Sequence, residues 1–351
     1  MNTLIRAGAL TNYAKVAEQL GLDYRPLLKK VGLSRAMLED PERQISARAA
    51  MTLLEESARL ARCPTFGLRI AELRQLSDFG VVGLLLTHQP TLRAAVATLI
   101  QYRHLVRLNE TLVMRIEDVG KTVVVRGEVV IDGAGPSIQS TELALGTLAR
   151  MCGTLLGAAW HPISVNFTHE APPDLRLHHR TFGRKLVFGS SFNGIVCRAS
   201  DLDLLNPIAD PAMGRHAQRL LEGLPGANET SVVLEVRKAI YLMLPTGRAT
   251  IEQVAQGLGL NVRTLQRQLD GAGKVFSEMV SGVRRDLVVH YLDNPRYSLG
   301  RIAELLGYSA YGSFVRWFAA QFGTTPTTWR GRGRSRQLRD LATRSHRQLD
   351  E

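Results

Sequence analysis

Hydrophobic positions recur along this chain with two different periods. In residues 11–20, 46–62 and 91–106 apolar side chains return at steps of three and four, which predicts amphipathic helices. Leu112–Glu117 and Lys121–Ile131 are instead rich in β-branched residues, and the break at Val119-Gly120 predicts a hairpin. Ser137–Ala158 reads as a long helix, and Pro162–Thr168 and Asn193–Cys197 as further strands. The order helix, hairpin, helix, strand predicts an α+β domain rather than alternating α/β. From Ser231 onward the strand pattern disappears. Thr250-x-x-Gln253 is a capping box that opens a helix. Phe276, Val280, Val283, Leu287 and Tyr291 lie on one face of a longer helix, which Asn294-Pro295 ends. Between the two regions, Pro207, Pro211, Gly214, Gly223, Pro225 and Gly226 punctuate the chain and predict a linker. The expected division is 1–205, α+β; 206–230, linker; 231–330, all-α; and 331–351, a tail.

The all-α region contains a repeat. Val254, Ala255, Leu258 and Gly259 match Ile302, Ala303, Leu306 and Gly307, 48 residues further on. After a one-residue insertion, Leu265 matches Phe314 and Arg267 matches Arg316. Each copy reads as a short helix with a small Ala inside, a Gly turn and a second helix. The Ala allows two helices to approach closely, and the Gly can end the first helix in the left-handed conformation. That is the helix-turn-helix plan, whose second helix can lie in a major groove. One such pattern occurs in many ordinary helical hairpins. Two, joined by one amphipathic helix, point to DNA. Held rigidly, two units could read successive major grooves ~34 Å apart on one face of the duplex.

Charge supports the same partner. Of the 351 residues, 44 are basic and 32 acidic, a net charge of +12. Residues 231–351 hold 18 basic and 10 acidic residues, and the first 230 hold 26 and 22. The excess is therefore densest around the repeat, as attraction to phosphate requires. The run Arg330-Gly-Arg-Gly-Arg-Ser-Arg336 fits either a solvated tail or a sequence-independent DNA contact. Cys63, Cys152 and Cys197 lie far apart with no CxxC pair, which predicts reduced thiols and a cytoplasmic protein. Met1–Leu10 has no signal-peptide character, and apolar runs such as Met151–Trp160 fall short of the ~20 residues of a membrane span. A membrane partner is not expected.

Gly307-Tyr-Ser-Ala-Tyr-Gly-Ser-Phe-Val-Arg-Trp-Phe-Ala-Ala-Gln-Phe-Gly-Thr-Thr-Pro326-Thr-Thr-Trp-Arg330 carries a specific resemblance. Residues 231–330 resemble the DNA-binding domain of AraC/XylS-family transcription regulators. The resemblance implies DNA contacts at Arg263, Gln266 and Arg267 in the first copy. In the second it implies contacts at Tyr311, Gly312, Ser313 and Arg316. Gly312 offers only backbone, so the second copy is expected to be poorer in base-reading groups. The chemistry is compatible: Arg pairs bidentately with guanine and Gln with adenine, although Arg267 could equally hold phosphate and Arg316 could pair with an acid. Leu265, Leu269, Phe314, Phe318 and Phe322 read as core, and Trp317 and Trp329 as packing residues. The family also implies double-stranded promoter DNA and RNA polymerase as partners, with activation or repression as the outcome.

The first region resembles the arabinose-binding-type N-terminal domain of regulators of metabolic or virulence pathways. The match runs through Leu27-Leu28, Phe66–Ala71, Asp78–Gly80, Leu86–Leu92, Val165–His169, Phe182-Gly183 and Leu205–Pro207. It implies a metabolite-sensing, homodimerising module without naming its small-molecule effector. Candidate polar anchors are Arg69, His88, Tyr102, Arg103 and His104, each of which also fits an ordinary surface or satisfied role. A purely structural first domain remains an alternative, as does a DNA-linked enzyme, although none of the cysteines sits in a reactive motif. No cofactor or metal is expected. Gly271-Ala-Gly-Lys274 lacks the first Gly of a phosphate loop, and His169, His178 and His179 have no supporting ligand spacing. Val16-Ala-Glu-Gln-Leu-Gly-Leu22 mimics the repeat's first helix but precedes no basic recognition helix.

Overall fold

The computed structural model describes residues 3–102, 112–129, 137–157, 160–222, 232–247, 249–293 and 297–331. The chain forms two compact units, Met1–Glu229 and Thr230–Glu351.

The first unit contains two hydrophobic cores. A helical layer is built from Tyr13–Gln19, Arg25–Lys30, Arg35–Glu39 and Ala47–Leu60. It is tied by a two-stranded ribbon in which Leu4–Arg6 runs antiparallel to Gln44–Ser46. Its core gathers Tyr13, Leu53 and Phe66, all fully buried. The Tyr13 hydroxyl is satisfied by Ser57 Oγ at 2.8 Å, which removes the cost of burying it. The repeat-like Val16–Leu22 segment belongs to this layer, within a pair of short helices.

The second core lies between helices and a five-stranded sheet. The strand order is Leu112–Val119, Thr122–Val129, Gly194–Arg198, Ser164–Asn166 and Leu186–Val187. All neighbours are antiparallel except the last pair. The expected hairpin is present, closed by the pairing of Val119 with Thr122. The long helix Ile138–Leu156 packs on this sheet, burying Leu145, Leu148 and Cys152. It also joins the two cores. Helix Phe66–Glu72 lies so close that a Cβ at Gly67 would stand 2.0 Å from the Gln139 carbonyl oxygen. The Gly67 N–H donates to Gln139 Oε1 at 2.8 Å, and Gln139 Nε2 donates to the Pro64 carbonyl at 2.9 Å.

The expected linker at 206–230 requires correction. Asn206 Nδ2 donates to the carbonyls of Thr87 and Gln89 at 2.8 and 2.9 Å. Pro211–Glu222 is a helix whose Ala217 and Leu221 enter the sheet-side core. Pro211 carries a breaker's signature in sequence, but proline suits the first turn of a helix, where its missing N–H costs nothing. Only 223–230 of the expected linker lies outside the described residues. The helix expected at 91–106 is described as Leu92–Tyr102.

The second unit is helical throughout its described residues, as expected. Its helices are Val232–Met243, Ile251–Gly257, Val262–Gly271, Phe276–Asp293, Leu299–Leu305 and Tyr311–Phe322, with one 3-10 turn at Leu244–Thr246. Thr250 Oγ1 accepts the Gln253 N–H, so the expected cap forms. Val254, Ala255, Leu265, Ile302, Ala303, Leu306 and Phe314 share one core with Val283 and Leu287 of the joining helix.

Candidate nucleic-acid interface

The two copies of the repeat make the same turn and bury most matched positions alike, although Leu258 is half-buried where Leu306 is fully buried. Val254 and Ile302 are fully buried, as are Leu265 and Phe314. Gly259 and Gly307 turn the chain at φ of 67° and 72°, the left-handed region that ends each first helix. Leu265 and Leu269 anchor Val262–Gly271 by one face. Helical geometry of 3.6 residues per turn then sends Arg263, Gln266 and Arg267 the other way, on one shared face, and all three are exposed. Among the described residues no acid pairs with Arg263 or Arg267, so both guanidiniums are available to an anion or a base edge. Asp270, absent from the sequence-based candidates, lies exposed on the same face, seven residues after Arg263. Its two-turn spacing was the available signal. A carboxylate there repels phosphate but can accept from cytosine N4.

The second copy offers less. Phe314 and Phe318 anchor Tyr311–Phe322 and turn Gly312 and Arg316 outward. Arg316 donates to Ser313 Oγ at 3.4 Å, and among the described residues it has no acidic partner. Ser313 is half-buried, and Tyr311 is 43% exposed at the edge of the face, its ring 6.0 Å from that of Phe314. Ala319 and Ala320 continue the exposed face without polar side chains.

The framework behind these helices is braced. Trp317 Nε1 donates to Ser281 Oγ of the joining helix at 3.3 Å, and the Trp329 ring lies 5.3 Å from Phe322, so both tryptophans pack as expected. Arg284 sits 4.1 Å over the Tyr308 ring and donates to the Leu306 carbonyl at 2.9 Å, which clamps the second turn to the joining helix. Arg237 meets Asp286 at 2.7 Å. Burial still pushes the Asp286 carboxyl above its ordinary pKa, while Arg237 and Arg285 pull it down. These basic residues serve the fold, unlike the arginines of Val262–Gly271.

The effector candidates in the first unit do not converge. Arg69 is exposed. His88 Nδ1 accepts the Asp210 N–H at 3.1 Å and so holds the start of helix Pro211–Glu222. Tyr102 packs half-buried against the sheet-side core. Arg103 and His104 lie outside the described residues. His178 Nε2 meets the buried Glu142 carboxylate at 2.7 Å, a histidine–carboxylate pair across helices that sequence spacing did not reveal.

Comparison with known proteins agrees with this architecture. Residues 21–206 match the arabinose-binding N-terminal domain of AraC transcription regulators, and residues 254–332 match a helix-turn-helix domain. The chain belongs to the AraC family of transcription regulators, and it is a DNA-binding regulator. It is 27% identical over 333 residues to the HTH-type transcriptional regulator VirS of Mycobacterium tuberculosis, covering 95% of this chain and 98% of that one. It is 23% identical to the Ornithine utilization regulator of Pseudomonas aeruginosa, with 89% and 92% covered. Among solved structures it is similar to the transcriptional regulator CdpR of Pseudomonas aeruginosa, at 22% identity and a TM-score of 0.45, covering 88% of this chain and 96% of that one.

Proposed function

We propose that the second unit reads promoter DNA in two successive major grooves, and that the first helix-turn-helix does most of the base reading. The observation that carries this reading is the outward face of Val262–Gly271, where Arg263, Gln266 and Arg267 stand together on an anchored helix. The second copy, with Gly312, Ala319 and Ala320 outward, contributes mainly approach and phosphate contact through Arg316 and Tyr311. In this reading the regulator is cytoplasmic and homodimeric, its first unit senses a small metabolite, and activation proceeds through RNA polymerase. Family membership and an apolar cavity inside the first unit support the sensing role.

Genome-wide mapping of protected promoter sites supplies the DNA sequence. On that site Arg263→Ala should cost ~1–3 kcal/mol and relax the preference at one base pair. Binding to random DNA should change far less. Equal losses on specific and random DNA would demote Arg263 to a phosphate contact.

A further inference from the structure

A partly open cavity of about 130 Å³ lies inside the first unit, between its two cores. Leu10, Met51 and Leu54 wall it from the helical layer, and Leu99, Met114 and Leu148 from the sheet side. The polar groups at its wall are few: Arg6, Arg74, Asp78, Ser140 and Thr147. Most are already engaged. Thr147 Oγ1 donates to the Leu143 carbonyl, Ser140 Oγ accepts from Ser137, Asp78 takes the Gln75 N–H, and Arg6 pairs with Glu42.

Arg74 is different. It is 7% exposed, and its two terminal nitrogens donate to the carbonyls of Gly8, at 2.7 Å, and Ala9. Its buried Nε–H has no hydrogen-bond partner. Among the described residues no carboxylate pairs with it, and Asp78 acts on it only at longer range. A buried guanidinium without a counter-ion is costly, and burial pushes its pKa down to about 10. A bound anion would restore the missing charge and the missing acceptor together.

We infer that this cavity binds a small apolar monocarboxylate, its carboxylate on Arg74 and its hydrocarbon between the two cores. This rests on the effector-sensing reading of the first unit and names the chemical class of that effector. The size is bounded: an apolar cavity of ~150 Å³ accommodates a benzene ring, so the slightly smaller space here encloses about six carbons, and its open side lets the end of a longer chain run outward. The charge is bounded too. Among the described residues, Arg74 brings to the wall one positive charge without a carboxylate partner, which a single carboxylate balances, whereas a phosphate monoester carries roughly −1.5 to −2 charges. A ligand in this position touches both cores at once and would fix the helical layer against the sheet. That gives it the differential contact with two states that effector control requires.

Calorimetric titration of the full chain with octanoate and with octanamide tests the inference. Octanoate should bind at least tenfold more tightly than the neutral amide. Ala144→Phe, which fills the cavity from the long helix, should weaken octanoate at least tenfold while leaving the circular dichroism spectrum and melting unchanged. Arg74→Met should abolish the preference for octanoate. Should that variant fail to fold, the amide comparison and Ala144→Phe still decide. Equal affinity for octanoate and octanamide, absence of octanoate binding, or full binding by Ala144→Phe would each overturn the proposal. Octanoate bound as described, with no change in affinity for the mapped promoter site, would uphold the ligand site and remove the effector reading alone.

Discussion

Gly259 and Gly307 hold the same left-handed turn in the two copies, yet their surroundings differ. A Cβ on Gly259 would meet nothing within 4 Å. One on Gly307 would stand 2.9 Å from the Leu244 carbonyl oxygen, a backbone atom that cannot swing away. Gly259→Ala should therefore cost only the left-handed strain of ~1–2 kcal/mol. Gly307→Ala should cost more, because the turn must also retreat from the 3-10 segment. Urea denaturation of both variants measures the difference, and equal midpoints would refute it. The repeated glycine was readable from sequence because φ above zero leaves a residue signature. The Leu244 contact was not, since it depends on a segment outside either copy.

The two second helices begin differently. Asn261 caps Val262–Gly271, its side chain accepting the Thr264 N–H at 2.8 Å. Ala310 occupies the same place before Tyr311–Phe322, with extended backbone but no side chain to accept. Restoring the missing acceptor with Ala310→Asn should stabilise the second unit by about 1 kcal/mol, and Asn261→Ala should destabilise it by a similar amount. Shifts of the denaturation midpoint at constant slope would report both, and no gain from Ala310→Asn would mean that another group already serves this helix end. Elements with a strong period were legible in this way: the hairpin, the long helix and the joining helix all stand where alternation or three-four spacing places them. Helix Pro211–Glu222 was hidden because Pro and Gly lower local propensity, while its stability comes from Ala217 and Leu221 packing on residues far away in sequence. The outward arginines of Val262–Gly271 were legible because a repeat fixes the register. The cavity was not, since its wall joins residues from Ile5 to Met151 and its free donor is an arginine that no motif marks.

At the scale of the whole molecule, the described core residues of Met1–Glu229 and Thr230–Glu351 fall into separate clusters. Each unit buries its own apolar side chains, so each has what an independent folding unit needs. A fragment of residues 230–351 should fold cooperatively alone and should lose as much from Arg263→Ala as the full chain does. Arg263 lies wholly within that unit, so the energy of the proposed base contact should travel with it. Total affinity should not. In a homodimer joined through the first unit, a second DNA-binding unit acts at high effective concentration, worth on the order of 10²–10⁴ in affinity. The fragment should therefore bind the mapped site more weakly by up to that factor with its base preferences intact. Competition titrations on matched and single-mismatch sites would separate the two quantities. A fragment that binds as tightly as the full chain would remove the dimerising role from the first unit. One with altered base preferences would mean that specificity is not confined to the second.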